Sequence, residues 1–291
     1  MLIFDCAKKF TQTQTQSKGL QLRSLKGGTA PNSVADSCRV VVRSGEDGAY
    51  DKIKEMVSAY REETGYKLNV KGVGKSLEIT ATGVAAHGAK PEKGLNAISI
   101  MMDFLGRLNF VCEDHNEFIE FYNKYRGFCL DGSKIGVDCT DEPSGGLVCN
   151  VGMADVDPEA GKLTINIRYP VTKDGEEILS KLAAVLDRYD MGLIRGEHKE
   201  PIYMDMDNPM VKLLLEIYRK HTGDVESQPL VIGGGTYARS AKNVIAYGAL
   251  FPGDPDLMHQ KNECISVERL IQMTKIYAEA IYKLASGEYN N

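Results

Sequence analysis

The sequence predicts an α/β chain in two parts: an α+β layer domain over about residues 4–199, then a shorter unit over about 200–291 that looks like part of a sheet. Three observations support this. The chain has 291 residues, room for two domains of ordinary size. Its apolar residues switch repeatedly between strand alternation and the three-and-four spacing of amphipathic helices. Hydrophobic residues make up 43% and charged residues 26%, which excludes a disordered or fibrous chain.

The elements follow in order. Met1 to Ala7 begins with a short apolar, strand-like run and leads to Thr11-Gln12-Thr13-Gln14-Thr15-Gln16, a polar patch that suits an exposed loop. Cys38 to Arg43 is a strand by its β-branched content. Ile53, Met56, Val57 and Tyr60 define a helix over 49–64, stopped by Gly65. Tyr66–Val73 and Leu77–Val84 alternate as two strands. Residues 94–110 and 115–125 are helical, Gly146–Val151 and Gly161–Pro170 are strands, and 174–189 is a further amphipathic helix. In the second unit a helix opens at Asn208-Pro209. Strands are expected at 229–232 and 244–251, with a short helix between them. A last helix is capped by Ser266.

Composition excludes several roles. Thirty-five basic and 40 acidic residues leave a net charge of −5, against the basic stripe of a nucleic-acid binder. No run approaches the length and apolarity of a membrane span. The seven cysteines show no CxxC pair, so a cytoplasmic, reducing compartment is expected.

Three segments could carry chemistry. In Gly83-Val84-Ala85-Ala86-His87-Gly88-Ala89, a strand ends at a histidine among small residues, where an imidazole could reach a developing oxyanion. In Val231-Ile232-Gly233-Gly234-Gly235-Thr236-Tyr237-Ala238, a strand runs through glycines into a helix start, which suits an anion. The segment also fits a GxGxxA nucleotide pattern, but the helix is too short for that crossover, and a carboxylate ligand or a plain tight turn fits better. In Met258-His259-Gln260-Lys261-Asn262-Glu263, a loop histidine has Asn and Glu neighbours, as metal ligands often do. His115, His198 and His221 lie in charged stretches or at a helix end and are expected at the surface.

In this order and spacing these segments resemble the zinc-dependent aminoacylase/carboxypeptidase-type peptidases, in particular the PepV-type branch of bacterial Xaa-His dipeptidases. Gly27-Gly28-Thr29-Ala30-Pro31-Asn32-Ser33-Val34-Ala35-Asp36 and Ile165-Asn166-Ile167-Arg168-Tyr169-Pro170 also resemble segments of that family. The resemblance implies a lid domain (4–199) and the C-terminal portion of a zinc-peptidase-like α/β catalytic domain (200–291). It implies that His87 stabilises the tetrahedral oxyanion. Asn32 and Arg168 would bind a dipeptide, Arg168 taking its C-terminal carboxylate, with Gly235 and Thr236 contributing nearby contacts. His259 would be one ligand of a two-zinc centre.

The family's HxD zinc motif does not occur. The residues two places after the five histidines are Ala89, Glu117, Glu200, Gly223 and Lys261. The chain therefore reads as a metallodipeptidase lacking its N-terminal catalytic segment, with doubtful zinc binding and no hydrolysis when alone. A second chain could supply the missing half, or the chain could form a homodimer. The alternative is a non-catalytic dimerisation or peptide-binding module.

Overall fold

The computed structural model describes residues 1–11, 18–232, 236–248, 250–255, 257 and 262–287. The Thr11–Gln16 patch lies outside them from residue 12 onward. The chain divides into two compact units, Met1–Pro201 and Ile202–Asn291.

The first unit is built on one sheet. Its strands are β1 (Leu2–Lys9), β2 (Gln21–Gly27), β3 (Ser37–Arg43), β4 (Lys67–Val73) and β5 (Ser76–Thr82). After a two-residue hairpin, β6 (Thr140–Asp141) and β7 (Gly145–Gly146), come β8 (Val148–Val156), β9 (Ala160–Arg168) and β10 (Gly192–His198). Eight of these pair in the order β10-β1-β9-β8-β2-β3-β5-β4, every pair antiparallel. Alternation decides which face is covered. Leu2, Phe4 and Cys6 of β1, Val40 and Val42 of β3, and Leu163, Ile165 and Ile167 of β9 all enter one apolar core.

Four helices supply the other side of that core: α1 (Ala49–Thr64), α2 (Ala97–Leu105), α3 (Glu113–Tyr125) and α4 (Gly175–Leu186). α1 buries Ile53, Val57 and Tyr60 on one stripe and ends at Gly65 in the left-handed conformation. α2 is buried almost all round and packs over β3 and β5, so it is the central helix of the layer. Asn96 caps it, its Oδ1 accepting from the Ile98 amide at 2.9 Å. Asn96 Nδ2 donates to the Val151 carbonyl at 2.8 Å, tying the start of α2 to β8.

The second unit has its own smaller core. α5 (Pro209–Thr222) and α6 (Val267–Ser286) pack through Leu213, Leu214, Ile217, Ile276 and Ala280, with Phe251 against them. The strands expected at 229–232 and 244–251 do not form among the described residues. Their β-branched content is real, but a strand exists only where a neighbour completes its hydrogen-bond ladder. Leu230 and Ile232 remain 86% and 61% exposed.

The structure also corrects His115, which is buried at 1% exposure. Its ring meets Phe10 edge-on, centroids 4.6 Å apart, with Phe110 also perpendicular to it. His221 is only part-buried and bonds Glu279 through Nε2 at 2.7 Å. His198 is exposed, its Nε2 2.8 Å from the Tyr169 hydroxyl.

Candidate functional site

Two loops of the first unit are laced together, and each carries a candidate residue. The first leaves β2 at Gly28, whose φ of +69° suits glycine, and a Cβ there would lie 1.9 Å from the Gly152 carbonyl oxygen. Gly152 makes the same close approach from β8, where a Cβ would meet the Pro31 oxygen at 2.3 Å. The loop can therefore lie directly on the strand. Asn150 Nδ2 fixes it by donating to the Ser33 carbonyl at 2.8 Å.

The second loop leaves β5 and returns at α2. It closes on itself through reciprocal Val84 and Leu95 amide bonds of 2.8 and 2.9 Å. It then pairs with the first loop: Val34 N donates to Ala86 O at 2.9 Å, and Gly88 N donates to Asn32 O at 2.7 Å. Ser33 and His87 form an isolated antiparallel bridge. Gly88 has to be small, since a Cβ would lie 2.8 Å from the Asn32 oxygen. Asn32 and His87 thus share one hydrogen-bonded patch, and both are exposed.

His87 is oriented by its own loop. Its Nδ1 accepts from the Ala89 amide at 3.2 Å. In the neutral ring the proton then resides on Nε2, which becomes the donor. That is the tautomer able to hydrogen-bond a carbonyl oxygen as it gains charge.

Arg168 ends β9, opposite Val148 on β8. Two residues earlier on the same strand, Asn166 stands opposite Asn150, the residue that anchors the Asn32 loop. The arginine strand and the histidine loop are thereby tied to one strand, β8. Arg168 is part-buried.

Thr236 lies in the second unit. Its Oγ1 accepts from the Ala238 amide at 3.3 Å, capping a single 3-10 turn over Tyr237–Ser240. The expected short helix is reduced to that turn. Gly235 and His259 lie outside the described residues. No three His, Cys, Asp or Glu side chains among the described residues are grouped so as to hold a metal. The described part of the chain does not fit a zinc centre.

Sequence reasoning missed Asn150 and Asn96. Asn150 is wholly buried, a polar residue inside the apolar run Val148-Cys149-Asn150-Val151. An amide in such a run must bond something specific, and that was the available signal.

The chain is similar in sequence to several known proteins. Residues 72–191 match the peptidase dimerisation domain of the M20 family. A Staphylococcus haemolyticus protein named "Putative dipeptidase" is 34% identical over 286 residues, covering 97% of this chain and 59% of its own length. Another of that name from Staphylococcus epidermidis is 33% identical over 284 residues, covering 97% and 59%. Among solved structures, an aminoacylhistidine dipeptidase from Vibrio alginolyticus aligns with a TM-score of 0.38 and 14% identity, over 78% of this chain and 49% of that one. The chain is related to the M20 peptidases. Within that class its similarity runs to the dipeptidases, and it spans about three fifths of the length of the curated relatives it matches.

Proposed function

We propose that this chain supplies the substrate- and transition-state-binding side of an M20-type metallodipeptidase. The observation that carries the reading is the Asn32–His87 patch, in which the Ala89 amide selects the Nε2–H tautomer of His87. His87 then donates to the oxygen of the scissile carbonyl as the tetrahedral species forms. Asn32 hydrogen-bonds the substrate backbone. Arg168 takes the free C-terminal carboxylate through its two-pronged guanidinium, a geometry a lysine cannot reproduce.

The resemblance implies a two-zinc centre that would activate water, and His259 is the residue of this chain proposed as a ligand. One histidine cannot hold a four-coordinate metal. The remaining ligands and the general base belong to a further chain segment or a partner chain. The exposure of Leu230, Ile232 and Leu250 in the second unit supports a covering partner there. In this reading the chain alone does not hydrolyse dipeptides, and the compartment is cytoplasmic. No disulfide joins any of its seven cysteines, and no helix among the described residues is long and apolar enough to cross a membrane.

The match to a peptidase dimerisation domain favours a second reading, in which the first unit serves mainly to pair two copies of the chain. Calorimetry with an Xaa-His dipeptide and its C-terminal amide separates the two. The first reading expects the free acid to bind roughly 10–100-fold more tightly than the amide, with Arg168→Met removing the difference. Equal binding of acid and amide, or no binding by a stable dimer, favours the module. Metal-dependent cleavage by the purified chain overturns the claim that ligands are lacking.

A further inference from the structure

Behind the Asn32 loop, the cap of α2, the turn after α3 and β8 line a partly open pocket of about 70 Å³. Its lining includes the polar residues Asn96, Ser99, Arg126 and Asn150 and the apolar residues Val34 and Phe128. Arg126 is 6% exposed. Its Nη2 donates to the Cys149 carbonyl at 3.2 Å. Its Nε and Nη1 are buried and have no hydrogen-bond partner among the described residues, and no described carboxylate forms an ion pair with it.

A guanidinium does not escape this by losing its proton. A buried charge lacking a counter-ion is among the costliest arrangements in a protein interior, so something anionic belongs beside it. Size and charge define what. A water takes roughly 10–15 Å³ of such space, so the pocket accepts a handful of heavy atoms. Arg126 is the one charged residue among those lining it, which matches a monoanion and leaves a phosphate or sulfate dianion half-compensated. The neighbouring polar groups are largely committed already. Ser99 Oγ bonds the Tyr122 hydroxyl and the Gly127 carbonyl, and Asn150 Nδ2 holds Ser33 O.

We propose that this pocket is a binding site for a compact monocarboxylate of formate to acetate size. The carboxylate pairs with the Arg126 guanidinium, and its carbon end faces Val34 and Phe128. Planar, two-oxygen anions are the ligands a guanidinium fork selects.

The test is thermal unfolding of the full chain at constant ionic strength, in sodium formate, acetate or sulfate. It is run in an Arg168→Met background, so that a carboxylate bound at the proposed substrate arginine does not contribute. The expected result is a saturable rise with formate and acetate, roughly 3–5 °C at ten times the half-saturating concentration, with no matching rise in sulfate. Arg126→Met should abolish it and Arg126→Lys should weaken it. No saturable rise, an equal rise in sulfate, or a rise surviving in Arg126→Met overturns the proposal. Should Arg126→Met fail to fold, carbon-13 acetate linewidths with the Arg168→Met chain decide it. Broadening that saturates and is displaced by formate supports the site, and unbroadened acetate overturns it.

Discussion

Burial between Phe10 and Phe110 pushes the His115 imidazole below its ordinary range, because charging it there would take a cation out of water. The folded state therefore binds that proton less readily than the unfolded chain. Stability contributed by neutral His115 is present above the unfolded value of about 6.5 and is lost as the pH falls below it. The melting temperature of the wild-type chain should drop more between pH 7.5 and 5 than that of His115→Phe, measured by circular dichroism. Equal drops would refute this. The burial was legible in principle. Residues 115, 118, 119 and 122 share one helical face, and Phe118, Ile119 and Tyr122 are all buried. The charged neighbours Glu113, Asp114 and Glu117 masked that periodicity. The Asn32 and His87 loops stood out more clearly because their glycines and small residues mark close backbone approach. The hydrogen bonds between the loops, and the Asn150 anchor beneath them, were not visible, since sequence does not show which loops meet.

At the scale of elements, α2 depends on one side chain doing two things. Asn96→Ala removes the helix cap and leaves the buried Val151 carbonyl without its donor. The expected cost is about 2 kcal/mol, a fall of roughly 4–8 °C in melting temperature. Asn96→Ser keeps only the capping function and should recover about half of it. An alanine variant as stable as wild type would show that α2 is held by packing alone. The amphipathic helices were readable because their caps and spacing are local. β2 was not, because a register shift between Leu22 and Ser24 breaks its alternation and spaces the buried Leu22 and Leu25 three apart. β10 was missed because it is an edge strand with almost every residue exposed. The segments 229–232 and 244–251 show the converse, strand-like composition with no ladder among the described residues.

For the whole molecule, the division into two units with separate apolar clusters makes a thermodynamic prediction. The first cluster draws on the large sheet and four helices, the second mainly on α5, α6 and Phe251. A fragment of residues 1–201 should unfold cooperatively, within roughly 3 °C of the more stable transition of the full chain. A fragment that stays unfolded would mean that the larger core requires the second unit. The two-unit division was accessible to sequence reasoning from length and patterning. The sheet order was not, because β1 pairs with β9 and β10, and β2 with β8, strands from opposite ends of the first unit.

That order has a consequence during synthesis. β1 lies between β9 and β10, with Leu2 opposite Ile167. A ribosome making this chain releases Leu2, Phe4 and Cys6 long before either neighbour exists, an interval of roughly 10–30 s at bacterial to eukaryotic elongation speeds. During that wait the strand's apolar face and both its edges are open to whatever binds nascent chains, and this end of the sheet closes only when the last strand, β10, emerges.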